Sequence, residues 1–258
     1  MVIDKVVLIY FSPTGGTLRA ARMVAGEFRA PVEEIDITGP STPRSREFGP
    51  RELVLAAAPC YGGRVPEPAA RRLTHFLGNA APALPLVAFG GRAVDDALRE
   101  LGDILTGNGF VPIAAAAVAT EHSLARQFCA GRPDERDRAE LRAFAIKARV
   151  KLGALGAAQD GCVRLGGDEP YRRAAALPLR PLAGEGCTSC GACARLCPMG
   201  AIDAAAPGRA DADACIGCMR CVASCPQGAR TLSRTARAAV ALRLKASCAP
   251  RAKNVTVL

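Results

Sequence analysis

The sequence predicts an α/β domain built on a doubly wound parallel five-stranded sheet, followed by a small cysteine-rich α+β domain. Three observations predict it. Five short apolar runs alternate with helical patterns over roughly the first 155 residues, as in β-α-β units laid into one sheet. A four-cysteine motif closed by proline is written twice, CTSCGACARLCP at 187–198 and CIGCMRCVASCP at 215–226. Of the 12 cysteines in 258 residues, eight lie between Cys187 and Cys225, while Cys60, Cys129, Cys162 and Cys248 are scattered, so the cysteine-rich part is a module of its own. The expected layout is an α/β domain at 1–156, a linker at 157–186, the cysteine domain at 187–230 and a basic tail at 231–258.

Residues 5–12 form a nearly unbroken apolar run, the pattern of a parallel strand buried on both faces. Residues 15–28 follow as a helix, with Leu18, Ala21, Ala25 and Phe28 at helical spacing. Further strands are expected at 32–37, 53–58, 86–89 and 111–119, and helices at 68–77, 94–105 and 135–155. In such sheets ligands bind beyond the carboxyl ends of the strands, where strand order reverses. The loops 12–17, 59–66 and 90–95 all follow expected strands and therefore meet at one rim. The linker mixes Gly, Pro, Ala and Arg without period; beyond the cysteines, 233–246 reads as a short basic helix and 248–258 as irregular.

Asp4 and Lys5 interrupt the opening apolar residues, and no small-residue cleavage site follows, so no signal peptide is expected. No window has the 18 or more apolar residues of a membrane helix. A cytoplasmic location without membrane insertion is the expectation, and there dense cysteines hold metal more often than they form disulfides.

Each copy of the motif is C-x2-C-x2-C-x3-C-P, the spacing of bacterial two-cluster ferredoxins. Three thiolates two residues apart wrap one face of a cubane, and the fourth, turned away before the proline, reaches the neighbouring cluster. Cys187, Cys190, Cys193 and Cys225 are then one [4Fe-4S] ligand set, and Cys215, Cys218, Cys221 and Cys197 the other. Zinc sites use C-x2-C pairs at long intervals rather than a run of four before proline. The stretch 187–230 resembles the two-cluster ferredoxin family, with Pro198 and Pro226 at that family's prolines.

FSPTGGT at 11–17 closes the first strand and opens the first helix. Ser12, Thr14 and Thr17 offer hydroxyls, Gly15 and Gly16 expose N–H groups, and the helix start adds a positive dipole end, which together make an anion site. Neither G-x4-G-K-[ST] nor G-x-G-x-x-G is present there. A plain Gly and Thr turn capping the helix is the alternative. Ser12-x-Thr14-Gly15-x-Thr17 resembles the phosphate loop of flavodoxins, with Gly16 where they often carry Asn. That resemblance implies FMN, whose ring would be flanked by Pro59, Tyr61, Gly62 and Gly63 after the third strand and by Gly90, Gly91 and Arg92 after the fourth. Tyr61 is the candidate stacking aromatic in a chain without Trp. Gly62 and Gly63 would allow the peptide rotation that gives the reduced flavin N5 a carbonyl partner.

The whole chain resembles flavodoxin-ferredoxin fusions, found mainly in anaerobic bacteria; the segment 131–137 also fits that family. The resemblance implies electron transfer between FMN and two [4Fe-4S] clusters toward an unidentified redox partner. An FMN-dependent reductase of a quinone or nitro compound, or a cluster-only ferredoxin whose first domain docks partners, are the alternatives. The formal charge of +10 does not argue for nucleic acid: 231–258 holds six Lys or Arg and no acid. Two oxidised clusters and a flavin phosphate, each about −2, would lower the total to around +4. Arg234, Arg237, Arg243 and Lys245 are either a docking face for an acidic partner or a solvated face. Arg64 and Arg92 are expected near the ring, where positive charge would raise the hydroquinone potential and Arg92→Gln would lower it. His75 and His122 are read as structural, and Cys60, close to the presumed ring but without a His partner, as a free thiol.

Overall fold

A computed structural model describes residues 1–41, 43–173, 179–248 and 251–258. Parts of the expected linker (174–178) and tail (249–250) lie outside the described residues.

The apolar run that opens the chain becomes β1 (Lys5–Tyr10), with Val6 to Ile9 fully buried at the centre of the sheet. It pairs in parallel with β2 (Val32–Asp36) on one side and β3 (Glu52–Pro59) on the other. β3 pairs with β4 (Pro82–Phe89), and β4 with β5 (Ala115–Ala119), again in parallel. The order 2-1-3-4-5 is that of flavodoxin-like sheets, with the switch point between β1 and β3. Helices α1 (Gly16–Ala25) and α4 (Glu135–Ala154) cover one face through Ala20, Val24, Leu141, Phe144 and Ala148. On the other face lie α2 (Glu67–Leu73) and α3 (Ala97–Gly107), anchored by Ala69, Leu73, Leu101 and Leu105.

Element ends differ from expectation for identifiable reasons. The helix expected at 68–77 stops at Leu73, because Phe76–Leu77 pairs with Arg46–Glu47 and Phe76 packs against Phe48. β4 starts at Pro82 rather than residue 86; Pro82 and Pro85 disguised a fully buried strand. The run 111–119 splits into Val111–Pro112 and β5, where Pro112 lacks an N–H.

The larger correction concerns the tail. Residues expected to be irregular contain a strand, Val255–Val257, which pairs antiparallel with β5 at the sheet edge, so the sheet is mixed rather than purely parallel. A buried network holds it there. Arg132 is bidentate to Asp137 at 2.8 and 2.5 Å and donates to Ala252 O at 2.6 Å. The same carboxylate accepts from Asn254 Nδ2 at 3.0 Å and from Asp134 N at 2.9 Å, while Asn254 Oδ1 accepts from Ala119 N. Asp134 in turn caps α4 and pairs with Arg251 at 2.8 Å. The 131–137 segment is thus a clasp between the start of α4, the end of β5 and the tail.

The cysteine-rich unit begins inside the expected linker: Leu182–Ala183 pairs antiparallel with Arg230–Thr231. Between them lie two short helices, α5 (Ala192–Arg195) and α6 (Arg220–Ala223), one per motif copy. Left-handed backbone positions repeat at the sequence offset of the copies: Ser189 and Gly217, Gly191 and Met219, Gly200 and Gly228. The two copies therefore fold as near-duplicates. The basic helix α7 (Arg234–Lys245) packs Val240 and Leu244 on Ala125, leaving Arg234, Arg237, Arg243 and Lys245 exposed. No helix among the described residues is long and apolar enough to cross a membrane.

Candidate functional site

Each helix of the duplicated unit starts from a left-handed residue, Gly191 or Met219, which turns the chain so that the third cysteine of each copy faces inward with the first two. The fourth is carried past the helix to the proline turn. Two cavities result. One is lined by Cys187, Cys190, Cys193 and Cys225, with Arg230 and Pro207 in its wall. The other is lined by Cys197, Cys215, Cys218 and Cys221, with Ile202 and Met199. Each therefore gathers three cysteines of one copy and the last cysteine of the other.

The cavities differ in exposure. Cys187 and Cys190 are exposed, whereas Cys197, Cys218 and Cys221 are buried. Burial pushes the Cys218 thiol up to about 12. At Cys225 burial acts the same way, but N–H groups of Gln227, Arg230, Ala229 and Gly228 outweigh it and lower the pKa. At the matching turn, Ala201 N donates to Cys197 Sγ at 3.3 Å. Such N–H···S bonds stabilise a thiolate without a counter-cation. Among the described residues no three His, Cys, Asp or Glu side chains converge on one metal-ion position. Four thiols spread around a cavity suit a polynuclear cluster, in which each iron takes one thiolate, better than a single zinc ion with ligands at about 2.3 Å.

The buried cavity is the one that faces the α/β domain. Arg72, on α2, donates to Ile37 O at 3.0 Å and to Pro198 O at 2.6 Å, linking the end of β2 to the residue after Cys197. Ile216, next to Cys215, packs against the first domain's core. Tyr61 is half-buried; burial pushes its phenol pKa up, and Cys218 of the buried cavity is its titratable neighbour, so the ring sits at the junction. Arg72 was hidden in the sequence, where it reads as one more polar residue of a helix.

At the rim of the sheet, Ser12 N donates to Thr38 Oγ1 at 2.8 Å and Ser12 Oγ accepts from Leu18 N at 3.0 Å, fixing the turn into α1. Gly15 has φ +85°, a left-handed conformation that favours glycine, and Thr14 and Gly15 are exposed, with no acidic residue in the first helical turn. Thr17 is buried, and Gly16 lies against Thr120. The helix start is open and suits an anion.

The ring-flanking loops are tighter than the sequence suggests. Tyr61 and Arg64 exchange backbone hydrogen bonds around Gly62 and Gly63, both at positive φ, in a two-residue turn after Pro59 and Cys60. A Cβ on Gly63 would lie 2.5 Å from Asp95 Oδ2 and 2.6 Å from Arg172 Cδ. Gly90 packs on the His122 ring, and Gly91 on Cys129 and Ala252. Arg64 and Arg92 do not supply the expected positive charge: Arg64 is bidentate to Glu100 at 2.7 Å, and Arg92 pairs with Asp95. The loop folds Asp95 back onto Arg92, and α3 brings Glu100 to Arg64. The raised hydroquinone potential therefore loses its basis. His122 is half-buried, desolvation lowering its pKa to about 4, and burial raises Cys60 to about 11.

Residues 186–229 match the 4Fe-4S dicluster domain family. No curated protein matches the chain. Among solved structures, rubredoxin oxygen:oxidoreductase from Desulfovibrio gigas is similar at 19% identity and TM-score 0.39, over 59% of this chain and 37% of that one. This chain thus spans little more than a third of that protein. Megasphaera elsdenii flavodoxin is similar at 15% identity and TM-score 0.37, over 56% of this chain and 98% of its own. Streptococcus pneumoniae flavodoxin gives 15% and 0.39, over 58% and 97%. Strand order on one side and the matched cysteine region on the other lead to the same statement: the chain joins a flavodoxin-like α/β domain to a 4Fe-4S dicluster domain, and its role is redox.

Proposed function

We propose that the chain is an electron carrier holding two [4Fe-4S] clusters and one FMN, and that it passes electrons to a separate redox partner. The observation that carries the reading is the pair of four-cysteine cavities, each completed by the last cysteine of the other copy. Cys187, Cys190, Cys193 and Cys225 would hold the exposed cluster, and Cys197, Cys215, Cys218 and Cys221 the buried one. Clusters supply one-electron transfer, and a flavin exchanges electrons singly or in pairs. The protein's part is to hold the groups in one chain at a fixed separation, which replaces diffusion by an internal path. Arg72, bonded to both domains, sets that separation on the buried side.

For FMN, the open start of α1 with Ser12, Thr14, Gly15, Gly16 and Thr17 would take the phosphate. Tyr61, at the junction and beside Cys218, would stack on the ring; Pro59, Gly62, Gly63, Gly90, Gly91 and Arg92 belong to the loops around it. The exposed Arg234, Arg237, Arg243 and Lys245 would attract an acidic partner surface. Tyr61→Ala should weaken FMN binding about tenfold, measured by quenching of FMN fluorescence on anaerobic protein of unchanged iron content. Unchanged affinity would remove Tyr61 and the ring position from the reading.

One observation favours a second reading. Gly63, Gly90 and Gly91 are already packed by Asp95, Arg172, His122, Cys129 and Ala252. A cluster-only carrier, whose α/β domain serves for docking, needs no ring site and is compatible with these closed loops.

A further inference from the structure

The two motif copies fold alike but differ at one buried position. Five residues beyond the last cysteine, the first copy has Ile202 and the second Arg230. Ile202 lines the buried cavity, and Arg230, only 2% exposed, lines the exposed one. The Arg230 guanidinium donates to Pro207 O and to Pro181 O, and its Nη1 lies 3.9 Å from Cys193 Sγ. Its Nε is buried without a partner. Among the described residues it makes no salt bridge to a carboxylate, whereas the similarly buried Arg132 is bidentate to Asp137.

A buried cation without a counterion costs several kcal/mol. The groups at hand that can carry negative charge are the cysteines. Cys193 Sγ, 3.9 Å from Nη1, is the sulfur within reach of the guanidinium, which stands in the wall of the cavity that Cys193 lines. The orphaned Nε and the missing carboxylate are both accounted for if an anionic group occupies the neighbouring cavity.

We infer that Arg230 is the counterion of the group held by Cys187, Cys190, Cys193 and Cys225 and makes it the higher-potential of the two clusters, an inference that rests on the two-cluster reading above. Reduction adds one negative charge to a cluster. A cation against its wall favours that state and raises the potential, while the equivalent place in the wall of the other cavity holds the uncharged Ile202. Exposure of Cys187 and Cys190 acts in the same direction, because water also solvates the added charge. An electron reaching the cysteine domain therefore rests on the exposed side, where a partner can collect it.

Arg230→Ile makes the two copies alike and is the direct test. Iron and sulfide are counted on anaerobic protein, and both midpoints are then read by redox titration followed by electron paramagnetic resonance. The higher midpoint should fall toward the lower one, and Arg230→Lys should keep most of the gap. An unchanged gap in Arg230→Ile, or movement of the lower midpoint alone, would overturn the inference. If Arg230→Ile assembles only one cluster, Arg230→Gln takes its place: a narrowed gap supports the inference and a wild-type gap overturns it. Wild-type protein with fewer than two clusters would instead defeat the two-cluster reading, and the iron count reveals that before any titration.

Discussion

Cys197→Ser and Cys218→Ser should remove the same iron-sulfur group, although they lie in different motif copies, and Cys225→Ser should remove the other together with Cys190→Ser. Each variant is expected to lose about half of its iron when prepared anaerobically. The pairing follows from the cavities: Cys197 lines the one built by Cys215, Cys218 and Cys221, and Cys225 lines the one built by Cys187, Cys190 and Cys193. The remaining signal distinguishes the groups. Cys197→Ser should retain the cluster at the exposed site beside Arg230, with the higher midpoint, and Cys225→Ser the lower. A linear arrangement, with each copy holding its own cluster, predicts instead that Cys197→Ser matches Cys190→Ser.

The largest effect on stability is expected at the clasp. Asp137 is fully buried and accepts from Arg132, Asp134 N and Asn254, so Asp137→Ala leaves a buried guanidinium without its carboxylate. Breaking a buried pair in this way costs about 3–5 kcal/mol. Denaturant unfolding of the α/β domain, followed by circular dichroism, measures the loss; a change below about 1 kcal/mol would mean that the clasp is not what seats the tail strand. The pH dependence has a definite sign. Burial alone would raise the Asp137 pKa, but Arg132 and the other donors lower it below the usual carboxylate range, and Arg251 lowers that of Asp134. Folded pKa values below the unfolded ones give stability that is present above about pH 4 and lost as the pH falls through the folded values. Wild-type protein should lose stability on acidification, and Asp137→Ala should lose less, because the group that titrates is gone.

Alternating apolar runs and helical patterns made the parallel core legible, since buried strands and amphipathic helices impose those periods on the sequence. The cysteine spacing was equally legible, because cluster ligation constrains consecutive residues. Charge placement was not. Arg64 looks uncompensated until α3 brings Glu100 to it, and Arg92 until its loop folds Asp95 back. Arg72 and Arg230 look like ordinary polar residues, and only burial marks them. Pro82 and Pro85 concealed the start of a central strand. The tail strand is three residues long and is held through Asn254 and Ala252 by Asp137 and Arg132, more than a hundred positions earlier in the chain, which no local pattern records.

Closed loops at Gly63, Gly90 and Gly91 set an FMN-bearing relay against a cluster-only carrier, and composition decides between them. Iron, acid-labile sulfide and acid-released FMN should be measured per chain on a single anaerobic preparation. The account predicts about eight irons, about eight sulfides and one FMN. Eight irons with no FMN, and none taken up on reconstitution, would contradict the relay and assign the redox work to the two cysteine cavities alone.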